Sequence, residues 1–105
     1  MPQFVIAYLG GTHPSTAEEG REHFARYMKW LDRLGDSAIS PANPLTNTQT
    51  VNADGSVRAG GSTAMSGFTI LEAESMDAAL VAAQSCPFLE IGGSLEVSEL
   101  MQMPG

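Results

Sequence analysis

The sequence predicts an α+β domain in which one antiparallel sheet carries two helices on a single face. Three observations lead there. Two strand-sized segments, Gln3 to Leu9 (QFVIAYL) and Gly67 to Ala73, are apolar on both faces, as strands inside a sheet are. Each feeds a helical pattern that opens at a hydroxyl cap and closes at glycine or proline. Between these two units lie an edge-type segment and a hairpin signal, and a half-exposed strand closes the chain. The order is strand, helix, strand with ribbon, strand, helix, strand, for which a ferredoxin-like βαββαβ sandwich with an extra β-hairpin is the natural solution.

Taken in order, the first strand ends at Gly10-Gly11 and a loop runs through Thr12, His13 and Pro14. Ser15 and Glu18 match a capping box, so a helix should start there and run to about Leu34, capped by Gly35. Phe24, Tyr27, Met28, Leu31 and Leu34 form its predicted core stripe, with His23 and Trp30 one above the other at the stripe's edge and Arg26 close by. Pro41 and Pro44 place Ser37 to Leu45 (SAISPANPL) on a sheet edge or in a loop. Thr48 to Asn52 and Ser56 to Arg58 flank an Asp54-Gly55 turn and read as a protruding ribbon, and Gly60 to Ala64 is a flexible return.

In the next strand Phe68 and Ile70 share one face, Leu71 and Ala73 the other. Ser75 caps a second helix whose stripe is Met76, Ala79, Leu80, Ala83 and Cys86, and Pro87 ends it. Beyond Gly92-Gly93, Leu95 and Val97 alternate with Glu96 and Ser98 as a strand, and the tail after Leu100 should fray. With both helices on one face, the other is left carrying some of Val5, Ala7, Leu9, Phe68 and Leu71. An apolar patch of that size predicts a partner, and two copies packed face to face into a barrel are the simplest closure, so a homodimer is expected.

Bulk properties exclude several classes of function. A chain of 105 residues is expected to form one domain, 1–105, and no segment approaches the ~20 apolar residues of a membrane span. Five basic residues against twelve acidic ones give a net charge of -7, which opposes nucleic-acid binding. One cysteine and two histidines allow no internal disulfide and none of the common zinc patterns. No export signal is evident, so the expected setting is cytoplasmic, with no metal and no cofactor.

Several phrases together resemble the YCII-related family, also called DGPF-domain proteins: YLGG at 8 to 11, HFARYMKW at 23 to 30, ANPL at 42 to 45, SGFTILEAESMDAALVAAQSCP at 66 to 87 and FLEIGGSLEV at 88 to 97. They span almost the whole chain in order. The tetrapeptide DGPF is absent, and Arg58 to Ala64 stands in its region. The resemblance implies a small dimeric alpha+beta barrel with a pocket between the first helix, the sheet and the edge segment. It also implies a helix histidine working with a nearby carboxylate. One relative is a dehydrochlorinase acting on a chlorinated hydroxyquinol, whereas others, encoded beside extracytoplasmic-function sigma factors, point to a regulatory role.

Among candidate residues His23 comes first, because imidazole takes and returns protons near neutrality. Asp36 is the candidate carboxylate to orient it, followed by Ser37 and Ser40. Trp30 is a candidate wall for a small apolar or aromatic ligand, with Tyr27 and Phe4, although Tyr27 at helical spacing reads as core. Arg26 is a candidate to attract a carboxylate or phenolate, unless it pairs with Glu22, and Asn43 to orient a ligand oxygen. Cys86, at a helix carboxy-terminus, reads as structural, and a metal site joining His13 to His23 is weakly supported. The expected function is therefore small-molecule binding in one pocket per subunit, with His23 as general acid or base in a lyase or isomerase reaction. The competing expectation is a non-catalytic regulatory or protein-interaction module presenting the ribbon.

Overall fold

A computed structural model of the protein describes residues 1–102, so the end of the tail expected to fray lies outside the described residues. Strands β1 (Gln3–Gly10), β2 (Ala38–Pro44), β5 (Met65–Glu72) and β6 (Gly93–Glu99) form one antiparallel sheet in the order β2-β5-β1-β6. Strands β3 (Gln49–Val51) and β4 (Val57–Ala59) form a separate ribbon around the Asp54-Gly55 turn. There the Asp54 carboxylate accepts from the Ser56 amide and hydroxyl. The proline-bearing segment is an edge strand, as its missing amides require. Set aside the ribbon, and this is the ferredoxin-like order, with an open sheet and no closed barrel within one chain.

Register decides which side chains meet the helices. Phe4 lies opposite Leu71, Ile6 opposite Thr69 and Val97, and Tyr8 opposite Gly67 and Leu95. Directly opposed residues share a face. Phe4, Ile6, Leu71 and Thr69 are almost wholly buried beneath the helices, while Val5, Ala7, Leu9, Phe68 and Ile70 occupy the uncovered face and are half-buried. Leu71 therefore belongs to the covered face, contrary to its expected place on the open one; it follows Phe68 by an odd number of residues.

The first helix, α1 (Ala17–Leu34), is capped one residue later than expected. Thr16, not Ser15, accepts from the Glu19 amide at 3.0 Å, and the Glu19 carboxylate reaches back to the Ser15 amide and hydroxyl. Its buried stripe is also rotated. His23, Tyr27, Trp30, Leu31 and Leu34 face the sheet, whereas Phe24 and Met28 are 61 % and 40 % exposed. Both stripes contain Tyr27, Leu31 and Leu34, so periodicity alone could not separate them. Trp30 settles the matter. Its indole is 1 % exposed and donates from Nε1 to the Ala82 carbonyl at 2.9 Å. An aromatic side chain buried with its polar atom satisfied is worth roughly 3–5 kcal/mol over alanine.

Helix α2 (Met76–Gln84) is capped by the Ser75 hydroxyl, which accepts from the Ala78 amide at 3.1 Å. It packs through Ala79 and Ala83, small enough to let the helix lie close to the sheet, while Leu80 is 40 % exposed. A short 3-10 helix (Pro87–Ile91), not anticipated from the sequence, then returns the chain to β6 through Gly92 in the left-handed region. No helix among the described residues is long and apolar enough to cross a membrane.

Cys86 lies in the core beside this turn, 2 % exposed. Burial pushes its thiol up from 9.0 to about 11, an effect that a backbone hydrogen bond at Phe88 only partly offsets and the charge of Glu90 reinforces. Below pH 9 the thiol is protonated in both folded and unfolded chains. Between pH 9 and about 11 only the unfolded chain ionises, so stability falls as pH rises. Urea unfolding across that window should show wild type losing about 2–3 kcal/mol relative to Cys86→Ala, and a constant difference between the two would contradict the buried, neutral thiol.

Candidate functional site

A cleft of about 490 Å³ opens between the amino-terminal half of α1, the neighbouring ends of β1, β5 and β2, and the Pro87–Ile91 turn. Its wall is almost wholly apolar. Phe24, Tyr27 and His23 come from the helix, Tyr8 and Gly67 from the sheet, Ala42 to Pro44 from the edge strand, and Phe88 from the turn. His13, in the loop after β1, stands at its rim.

The aromatic residues form one cluster. Tyr8 meets Tyr27 edge-on with ring centres 6.0 Å apart and lies 5.3 Å from Phe88 at a tilt, and Tyr27 stacks on Trp30 at 5.9 Å. Beneath the cleft the Tyr8 hydroxyl bonds to the Tyr27 hydroxyl at 2.9 Å and to the Thr69 hydroxyl, and Thr69 donates to the Pro41 carbonyl at 2.6 Å. Burial pushes the Tyr8 phenol far above the ordinary tyrosine range, and the bond to Thr69 counters this only in part. Tyr8 therefore stays protonated. Gly67 permits the approach of the edge strand, because a Cβ there would sit 2.9 Å from the Asn43 carbonyl oxygen.

His23 is brought to the cleft by the rotation of α1. Its Nδ1 is sealed from solvent and has no hydrogen-bond partner among the described residues. A buried, unpaired nitrogen costs roughly 1–3 kcal/mol, so the imidazole is held here by packing and not by an orienting bond. Asp36 does not supply one. It lies in the turn beyond the end of α1, and the helix from His23 to Leu34 alone spans roughly 16 Å at 1.5 Å per residue.

The other candidates separate cleanly. Asn43 lines the cleft, but its amide nitrogen donates to the Ser40 and Phe68 carbonyls, and its oxygen accepts from the Ser40 hydroxyl. Ser40 thus braces Asn43 and is not itself on the wall. Trp30 lies in the core behind Tyr27, not at the ligand surface, and Phe4 is wholly buried. Arg26 pairs with Glu90 at 3.0 Å, not with Glu22, and faces away from the cleft. Tyr8 and Phe88, which line the cleft, and Thr69, buried beneath it, are not singled out by the sequence. Tyr8 reads as one more member of an apolar run, and only its register opposite Gly67 shows why its hydroxyl lies under the cleft. No group of three or more metal-ligating side chains occurs among the described residues.

Residues 4–104 match the YCII-related domain. The fold is similar to that of 5-chloro-2-hydroxyhydroquinone dehydrochlorinase (TftG) from Burkholderia phenoliruptrix AC1100, solved in complex with 2,5-dihydroxybenzoquinone. The TM-score is 0.52 over 96 % of this chain and 95 % of that one, at 20 % identity, a likeness of fold alone. No curated protein matches the chain in sequence.

Phe88 owes its place on the wall to two glycines. A Cβ on Gly93 would lie 2.1 Å from its ring, and one on Gly11 would lie 3.0 Å away. Gly93→Ala should therefore displace the ring and cost about 1–3 kcal/mol in denaturant unfolding, with loss of the Tyr8–Phe88 contact in aromatic NMR spectra. Adding Phe88→Leu should remove most of the penalty of Gly93→Ala; strictly additive losses would refute the steric account.

Proposed function

Because the chain belongs to the YCII-related family and carries an aromatic-lined cleft with a histidine on its wall, we propose that it binds a small ring compound there and that His23 transfers a proton in a lyase or isomerase-type reaction. The observation that carries this reading is the His23 ring, packed on the cleft wall with Nδ1 sealed inside, so that Nε2 is the nitrogen left to meet a ligand. His13 and His23 are the two imidazoles on the wall, and of the two His23 is the one carried by a helix. In an elimination of the kind for which the Burkholderia protein is named, the base accepts a substrate proton, the electron pair released moves into the ring, and chloride departs with the carbon–chlorine pair. Asn43 shapes the wall, braced by Ser40. Asp36, Arg26 and Trp30 have no part in the step.

The open sheet face supports the second half of the reading, a homodimer. Val5, Ala7, Leu9, Phe68 and Ile70 lie on two central strands with no helix over them, and a second copy of the same face is the simplest complementary cover. A cytoplasmic setting belongs to the same proposal, in keeping with the free thiol of Cys86.

Calorimetry with hydroquinone should detect binding by wild type and by His23→Gln. Chloride release from 5-chloro-2-hydroxyhydroquinone should fall by about 10²–10⁴-fold in the variant. Full turnover by a folded His23→Gln protein would refute its role. Failure of wild type to bind or turn over either compound would favour the interaction-module reading, for which the exposed Val51 and Val57, paired on the ribbon, are the supporting observation. Sedimentation should give a dimer at micromolar concentration and a monomer for Ile70→Glu, and a monomeric wild type would remove the second copy from the proposal.

A further inference from the structure

The hydroxyl groups beneath the cleft can be ordered by counting protons. Tyr27, Tyr8 and Thr69 own three hydroxyl protons among them, and there are four oxygen–oxygen contacts: Tyr27 to Tyr8 at 2.9 Å, Tyr8 to Thr69, Thr69 to the Pro41 carbonyl at 2.6 Å and Tyr27 to the same carbonyl at 3.5 Å. One contact must go without a proton. The 3.5 Å contact is the longest, at the outer limit for a hydrogen bond, and is the one surrendered.

Direction then follows from Pro41, whose carbonyl can only accept. Thr69 spends its proton there, so its oxygen accepts from Tyr8, and the Tyr8 oxygen accepts from Tyr27. Tyr27 stands at the head of a one-way chain with its proton committed and its lone pairs free. Each bond polarises the next, so negative character gathers on that head oxygen.

The rest of the wall adds no competing demand. Among the described residues no arginine, lysine, aspartate or glutamate lines the cleft, and Arg26 is tied to Glu90 elsewhere. The chain carries a net charge of -7, so an anion would shed water with no fixed cation on the wall to receive its charge. The Asn43 amide is spent on the Ser40 and Phe68 carbonyls, and the Ser66 hydroxyl on the Tyr8 carbonyl. An imidazole can present either a donor or an acceptor, so His13 and His23 do not fix the polarity of a ligand.

We propose that Tyr27 is the specificity-determining residue of this cleft: its oxygen accepts from an O–H or N–H on an uncharged ring, so that the cleft takes neutral phenol-type compounds and rejects their carboxylate and methyl-ether counterparts. This rests on the reading that the cleft binds ring compounds, and it adds the hydrogen-bond polarity and charge that such a ligand must have.

Titration calorimetry of the full chain with 4-methylphenol, 4-methylanisole and 4-methylbenzoate at neutral pH tests it. Wild type should bind the phenol about tenfold more tightly than the ether, the worth of one hydrogen bond, with the benzoate weakest of the three. Tyr27→Phe should bring the phenol down to the affinity of the ether and leave the ether unchanged; the emission of Trp30, stacked on residue 27, confirms that the variant is folded. A wild type that binds the phenol and the ether alike, or prefers the benzoate, overturns the role of Tyr27 while leaving the ring-binding reading in place. Survival of the phenol preference in Tyr27→Phe overturns it too. If none of the ring compounds binds, both readings fall together.

Discussion

The indole of Trp30, sealed between the two helices with its N–H on the Ala82 carbonyl, is the constraint on which the rest of the molecule depends. A buried tryptophan whose donor lacks an acceptor is costly, so α1 can lie on the sheet in few rotations other than the one that reaches α2. That rotation carries Tyr27 and His23 inward on the same stripe, one and two turns towards the amino-terminus. Phe24 and Met28 turn outward for the same reason. The position of the histidine on the cleft wall is thus a packing consequence of a residue roughly 10 Å away along the helix.

A second constraint comes from the one-sided sheet. With helices over a single face, β1 and β5 must bury Phe4, Ile6, Leu71 and Thr69 on one side and leave a row of apolar residues on the other. Thr69, a polar residue in that covered row, has its hydroxyl satisfied by the Pro41 carbonyl and by Tyr8. The edge strand supplies that carbonyl, and its prolines, which cannot continue a ladder, leave backbone oxygens available for side chains. Structural satisfaction of one core threonine and polarity of the cleft floor are therefore the same set of bonds.

Much of this was legible in the sequence, and the boundary is a physical one. Element order, the interior strands, the hairpin turn and the proline-bearing edge follow from alternation and turn chemistry, which are local. The rotation of α1 was not legible, since two stripes share Tyr27, Leu31 and Leu34 and only the acceptor on α2 chooses between them. Strand alternation alone sets Leu71 on the face opposite Phe68, where its pairing with Phe4 puts it. Helical rise alone separates His23 from Asp36, because a helix running from the one to Leu34 holds its ends apart. Tyr8, Thr69 and Phe88 depend on register between strands and on a turn after Pro87, neither of which a single sequence encodes locally.

The seat of Phe88 between two glycines has a consequence for how relatives of this chain can diverge. Gly11, at φ +89, is confined by its backbone, but Gly93 has an ordinary conformation and is bare only to make room for the ring. Positions 88 and 93 therefore form a reciprocal pair: a smaller ring neighbour tolerates a methyl group, and a bare neighbour tolerates a large ring. Trading bulk between them resizes the chamber from the side of the turn, with Tyr8 the member of the hydroxyl relay that feels it through its contact with Phe88. Capacity can thereby change while the imidazole on the helix side keeps its seat.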